Sequence, residues 1–180
     1  MLINLVYRMN IKEALSGVYS KGQIETVAKY ACSHNTQFDE LMQCFLSNDI
    51  RLAQMASWSV SYAARLNPTF IKPYIKNLVE QLQRKDVHDA VIRNSIRILQ
   101  DIEIPEEQHG AVMNSCFELI EQPSTPAAIK AFSLTTLYNL TKVYPEIKQE
   151  LKLLIETLWD NESPAFKSRG RKILHQLNKK

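Results

Sequence analysis

The sequence predicts an all-α chain, a solenoid of stacked helix pairs about forty residues long. Two observations carry this. Glycine is scarce, four in 180 residues, and the prolines fall between amphipathic stretches, as in short-looped helices rather than strands. A nine-residue pattern also recurs without gaps: LAQMASWSV from Leu52, VIRNSIRIL from Val91, IKAFSLTTL from Ile129 and FKSRGRKIL from Phe166, with starts 39, 38 and 37 residues apart. A weaker copy, IETVAKYAC, begins 28 residues before the first, at Ile24.

The first and ninth positions of each copy are apolar: Ile24 and Cys32, Leu52 and Val60, Val91 and Leu99, Ile129 and Leu137, Phe166 and Leu174. They define one buried face. The fifth position is always small (Ala28, Ala56, Ser95, Ser133 and Gly170), as expected where helix axes cross at about 8–10 Å. Between these helices lie partner helices whose apolar pairs Leu41 and Phe45, Leu78 and Leu82, Cys116 and Ile120, and Leu154 and Leu158 are expected to be equivalent. Asn67-Pro68, Thr125-Pro126 and Ser163-Pro164 each offer a side-chain oxygen at an N-cap with proline at the first helical position, and Pro105 and Pro145 are expected to open helices the same way.

The resulting division is a single domain, 1–180, with a capping helix over 1–20 ended by Ser16-Gly17, helical repeats over 21–49, 50–86, 87–125 and 126–163, and a capping helix over 164–180. In that last segment Phe166, Gly170, Ile173, Leu174 and Leu177 form the buried stripe. Lys167, Arg169, Arg171, Lys172 and His175 are left to meet water, as a terminal repeat requires.

Composition excludes several classes of function. Twenty-two Lys and Arg against 19 Asp and Glu leave a net charge of +3, too small by itself to argue for nucleic acid or an anionic membrane. Cys32, Cys44 and Cys116 form an odd set without metal-ligand spacing, so a disulfide framework and a zinc site are both disfavoured and a reducing cytoplasm fits. The start, MLINLVYRMN, lacks the features of a signal peptide, and no apolar run approaches a membrane span. His34, His88, His109 and His175 are scattered and read as surface residues. The three cysteines read as small buried hydrophobes, and Asp101, Glu103, Glu106 and Glu107 as partners of a helix dipole. No catalytic residue, cofactor site or metal site is expected, and the chain is expected not to be an enzyme.

The segment 70–99 resembles a HEAT repeat, with Pro73 inside its first helix, Asp86 in the turn and Ile92-Arg93 opening the second helix. Asp86 and Arg93 are similar to that family's turn aspartate and arginine. The other copies depart from it: Lys130 and Lys167 stand near the arginine position, Ala53 carries no charge, and Thr125 and Ser163 replace the aspartate. The resemblance, to HEAT or armadillo-like repeats over 21–180, implies a right-handed α-α superhelix whose second helices line a concave face. On that assignment the concave face presents Trp58, Tyr62, Arg65, Arg93, Arg97, Tyr138, Lys142 and Lys172, together with Tyr30, Gln54, Thr135 and Lys179. Glu80, Glu118 and Glu156, 38 residues apart, lie on the outer helices. The expected partner is a protein or acidic peptide, because arginine forks suit carboxylates and aromatic rings add contact area at low entropic cost. The alternative is nucleic acid, through a resemblance to HEAT-like DNA glycosylases in which Trp58, Tyr62 and Asp101 stand as candidates; no motif ties these residues to that family's active site, and the chain is short for it.

Overall fold

The computed structural model describes residues 9–17 and 20–179. Among the described residues every regular element is helical: α1 (Ile11–Ser16), α2 (Lys21–Ala31), α3 (Asn35–Phe45), α4 (Ile50–Leu66), α5 (Pro68–Ile71), α6 (Ile75–Gln83), α7 (Asp89–Leu99), α8 (Glu106–Glu121), α9 (Ala127–Leu140), α10 (Ile147–Leu158) and α11 (Pro164–Leu177). Short 3₁₀ turns occupy Lys72–Tyr74 and Trp159–Asn161. Proline explains the first of these: Pro73 cannot donate to the preceding turn, so the stretch from Pro68 breaks into α5 and α6 around it. Of the expected capping helix over 1–20, residues 1–8, 18 and 19 lie outside the described residues; α1 is the part that is described, and Gly17 after it has an ordinary φ of −80°.

Helix starts follow side-chain oxygens. Asn10, Ser20, Asp49, Asn67 and Ser163 each accept a backbone N–H of the first turn. Pro68 and Pro164 occupy the first turn as expected. Pro126 and Pro105 instead stand at the N-cap itself without a side-chain bond, and α10 begins after Glu146, two residues past Pro145. A proline carbonyl can accept the first intrahelical bonds, and that of Pro126 accepts from Ile129 and Lys130.

The chain folds as two compact units, Met1–Lys72 and Pro73–Lys180. In the first, α4 is central: α1, α2, α3 and α5 all pack on it, and Ala53, Ala56, Val60 and Ala63 are buried within 1% of full. In the second, α6 pairs with α7, α8 with α9 and α10 with α11, and the second members of these pairs stack in the order α7, α9, α11. All five small fifth positions are buried, Ala28, Ala56, Ser95 and Ser133 completely. At Gly170 a Cβ would stand 2.9 Å from the Ile155 Cγ2 and 3.3 Å from the Trp159 ring, so the α10–α11 crossing is closer than an alanine permits.

That crossing corrects one equivalence. Cys116, on α8, meets Ser133 of α9, and on α10 the residue meeting Gly170 is Ile155. Leu151 and Ile155 are fully buried, whereas Leu154 and Leu158 are half-buried, so α10 is rotated by one residue from the expected register.

Candidate functional site

Side-chain bonds lock the row of second helices in the second unit. Asn139 Nδ2 of α9 donates to the Gln100 carbonyl at the end of α7, at 2.9 Å, which satisfies a helix-terminal acceptor that would otherwise lack a partner. Arg169 of α11 donates to the Thr135 hydroxyl of α9 at 2.8 Å. Gln83 of α6 donates to Ser115 of α8, joining the first helices.

On this scaffold Arg93, Lys142 and Lys172 are exposed, while Arg97, Thr135 and Tyr138 are half-buried. The Lys142 ammonium lies 5.5 Å from the centre of the Tyr138 ring, a cation–π pairing that positions both. The first helices of the same unit expose Glu80, Glu118 and Glu156. In the first unit, Gln54, Trp58 and Tyr62 are half-buried and Arg65 is exposed, all on one stripe of α4. The Arg65 guanidinium lies 4.9 Å from the Tyr62 ring centre. The Tyr62 hydroxyl donates to Glu25 at 2.8 Å, which lowers that carboxyl's pKa, and Lys21 pairs with Glu25 at 3.7 Å. Glu25 is an acid beside the stripe that the spacing of the repeats did not reveal, because it reaches Tyr62 from α2.

Other sequence expectations are revised by the packing. Asp86 pairs with Arg84, two residues before it and within the same turn, through two hydrogen bonds of 2.9 and 2.6 Å; this lowers the Asp86 pKa and raises that of Arg84. Arg93 is exposed. Lys130 is 3% exposed and forms a buried ion pair with Glu162 in the turn before α11. His109 is also buried: its Nε2 donates to the Ile104 carbonyl at 2.7 Å, which leaves Nδ1 to accept from the Tyr144 hydroxyl at 3.1 Å. The pairing spans 35 residues and closes the α8 start against the segment after α9, a contact no local pattern announces.

The cysteines carry shielded thiols. Cys116 is fully buried, and desolvation pushes its pKa up to about 12 against a small opposing effect of Ser133. Burial also raises those of Cys32 and Cys44. Cys44 borders a cavity of about 590 Å³ in the first unit with Lys12, Glu40 and Gln43; a second, of about 380 Å³, lies among the turns of the second unit beside Arg84, Asp89 and Gln122. Neither is lined by a histidine. Among the described residues there is no group of three or more His, Cys, Asp or Glu able to hold a metal ion, and no helix long and apolar enough to cross a membrane.

No curated protein and no solved structure significantly matches the chain. A family model described as a HEAT repeat domain matches residues 11–177. HEAT repeats generally mediate protein interactions and are typically non-catalytic scaffolds. That match spans nearly the whole chain and coincides with an all-helical architecture of stacked pairs, and by it the chain belongs to the HEAT repeat family.

Proposed function

We propose that the chain is a non-enzymatic binding module that holds an acidic peptide, or an acidic stretch of a partner protein, on the open side of its second helices. One observation carries the reading: within Pro73–Lys180 Arg93 and Lys172 are exposed on the second helices and Lys142 in the turn just after α9, over the Tyr138 ring, while the first helices expose Glu80, Glu118 and Glu156. Opposite charge on the two sets of helices favours an anionic ligand on one side and repels it from the other. Trp58, Tyr62 and Arg65 offer the same combination of ring and cation on the first unit, and Arg97 adds a half-buried fork on α7. Three free thiols suit a cytoplasmic setting.

The test uses a labelled, extended peptide rich in Asp and Gly, a composition that resists helix formation. Replacing Arg93→Glu together with Lys142→Glu is expected to weaken its binding about tenfold or more, since two attractions become two repulsions. Unchanged binding with an unaltered helical spectrum sinks the reading. Tighter binding of a DNA duplex, with affinity falling by about 0.9 log units per log unit of salt for each phosphate contact, would favour nucleic acid instead.

A further inference from the structure

We infer that the outer face of α8 is a second docking surface, and that its occupant is a cationic amphipathic helix of a partner protein crossing at Gly110. Gly110 stands in the interior of the 16-residue α8, where glycine is a poor helix former because fixing it costs more backbone entropy than fixing any other residue. At Gly170 a neighbouring helix explains the missing side chain. At Gly110 a Cβ would meet nothing within 4 Å, so no packing among the described residues accounts for it. Gly22 is equally open, but it lies in the first turn of α2 rather than in a helix interior. A glycine on an exposed face lets a second helix axis approach to about 8 Å, the close end of the packing range.

The surroundings of Gly110 suit a helix. Glu106, Gly110, Asn114 and Glu121 run along one exposed stripe of α8, with Glu107 beside it. Met113 and Phe117, both half-buried, border the stripe on one side. Ser115, which takes the bond from Gln83, points to α6, and Met113 and Phe117 lie on the opposite flank of α8. The stripe therefore combines a close crossing point, an apolar edge, and carboxylates at its two ends, about 22 Å apart.

Charge selects the occupant. Between Arg97 and Lys130 the sequence has six Asp and Glu and no Lys or Arg. All six acids, Asp101, Glu103, Glu106, Glu107, Glu118 and Glu121, are exposed, whereas the one histidine of the stretch, His109, is buried. Glu106 and Glu107 suit the start of α8, whose dipole attracts anions. Glu118 and Glu121 stand in its last turn, where the same dipole repels them and no basic residue offsets them. Glu118 shares the rim of the second cavity with Arg84 and Lys85; Glu121 forms no ion pair among the described residues. On α10, Lys148 and Lys152 share the stripe of Ile155, which meets α11, so they do not neutralise the α8 face. Lysines or arginines on a partner helix would meet these carboxylates, which repel the phosphates of a nucleic acid.

The experiment titrates the full chain with an alanine-based helical peptide of about 16 residues, the length of α8, carrying Lys at every fourth position with Leu beside it, and with a counterpart in which Gln replaces Lys. The Lys peptide is expected to bind about tenfold or more tightly than the Gln peptide. Gly110→Gln is expected to raise Tm slightly, since Gln is the better helix former, while weakening the Lys peptide about tenfold. The combined change Glu106→Gln, Glu107→Gln and Glu121→Gln is expected to weaken it by a similar factor with an unaltered helical spectrum. Arg93→Glu with Lys142→Glu is expected not to weaken the Lys helix, so the two surfaces fail independently. The inference is overturned if the Lys helix does not bind, if either the Gly110 change or the glutamate changes leave it bound as before, or if an extended Lys/Gly peptide of equal charge binds as tightly. Self-association of the chain in sedimentation, abolished by Gly110→Gln, would assign the face to a second copy and overturn the proposed occupant.

Discussion

Adding one methyl group at Gly170 tests the repeat register directly. In a helix interior Gly→Ala ordinarily gains about 1 kcal/mol, because glycine loses more backbone entropy on folding and contributes no side chain. Here the new Cβ stands 2.9 Å from Ile155 Cγ2 and 3.3 Å from the Trp159 ring. Ile155 is fully buried, and its Cγ2 is attached directly to the β-carbon, so it cannot swing aside as the end of a long chain does. Overpacking of this kind costs about 1–3 kcal/mol, which exceeds the propensity gain over most of its range. Gly170→Ala is therefore expected to lower Tm by a few degrees, at about 2–4 °C per kcal/mol for a chain of this length. Gly170→Leu is expected to lower it further. The preceding layer suggests a rescue: Ile155→Cys combined with Gly170→Ser installs the pair found at Cys116 and Ser133, and should be more stable than Gly170→Ser alone. Thermal denaturation followed by circular dichroism reads all four proteins. A Tm raised by Gly170→Ala would refute the argument, since it would place the fifth position away from a close helix crossing.

The Lys130–Glu162 pair and Cys116 support further measurements. Glu162→Gln leaves an ammonium only 4% exposed without its counter-charge and is expected to cost about 3–5 kcal/mol in urea denaturation. Lys130→Met leaves the more accessible carboxylate, 12% exposed, and should cost less; the double change should recover most of the loss, and simple additivity would argue against a coupled pair. For Cys116 the folded thiol keeps its proton to about pH 12, against 9.0 for an ordinary cysteine. Between those values the folded state binds more protons than the unfolded one, so stability falls as pH rises, with a limiting slope of about 1.4 kcal/mol per pH unit from this group. Cys116→Ala should remove that increment from the pH profile above pH 9, and an identical slope in both proteins would contradict it.

The repeat was legible because it is a local property. Apolar residues at the first and ninth positions and a small one at the fifth recur within each nine-residue window, and a helix that crosses its neighbour closely tolerates nothing larger at that position. The N-caps at Asn67 and Ser163 were legible for the same reason, since a capping oxygen acts within three residues. For the candidate surface the pattern supplied only a set of expected positions, Arg93, Lys142 and Lys172 among them, and it could not reveal that Glu25 takes the Tyr62 hydroxyl.

What the sequence determined by itself was the helical class, the repeat and its family resemblance, because each follows from spacing along one chain. Tertiary structure decided the partners of the charged and polar groups. Asp86 closes on Arg84, two residues before it, Lys130 turns inward to Glu162, and His109 is drawn into the interior by the Ile104 carbonyl and Tyr144. It also set the rotation of α10 that brings Ile155 onto Gly170. A hydrophobic period identifies which face of a helix is buried, but a single ion pair or hydrogen bond depends on atoms meeting within about 3 Å, and residues more than thirty positions apart meet only after the helices have packed.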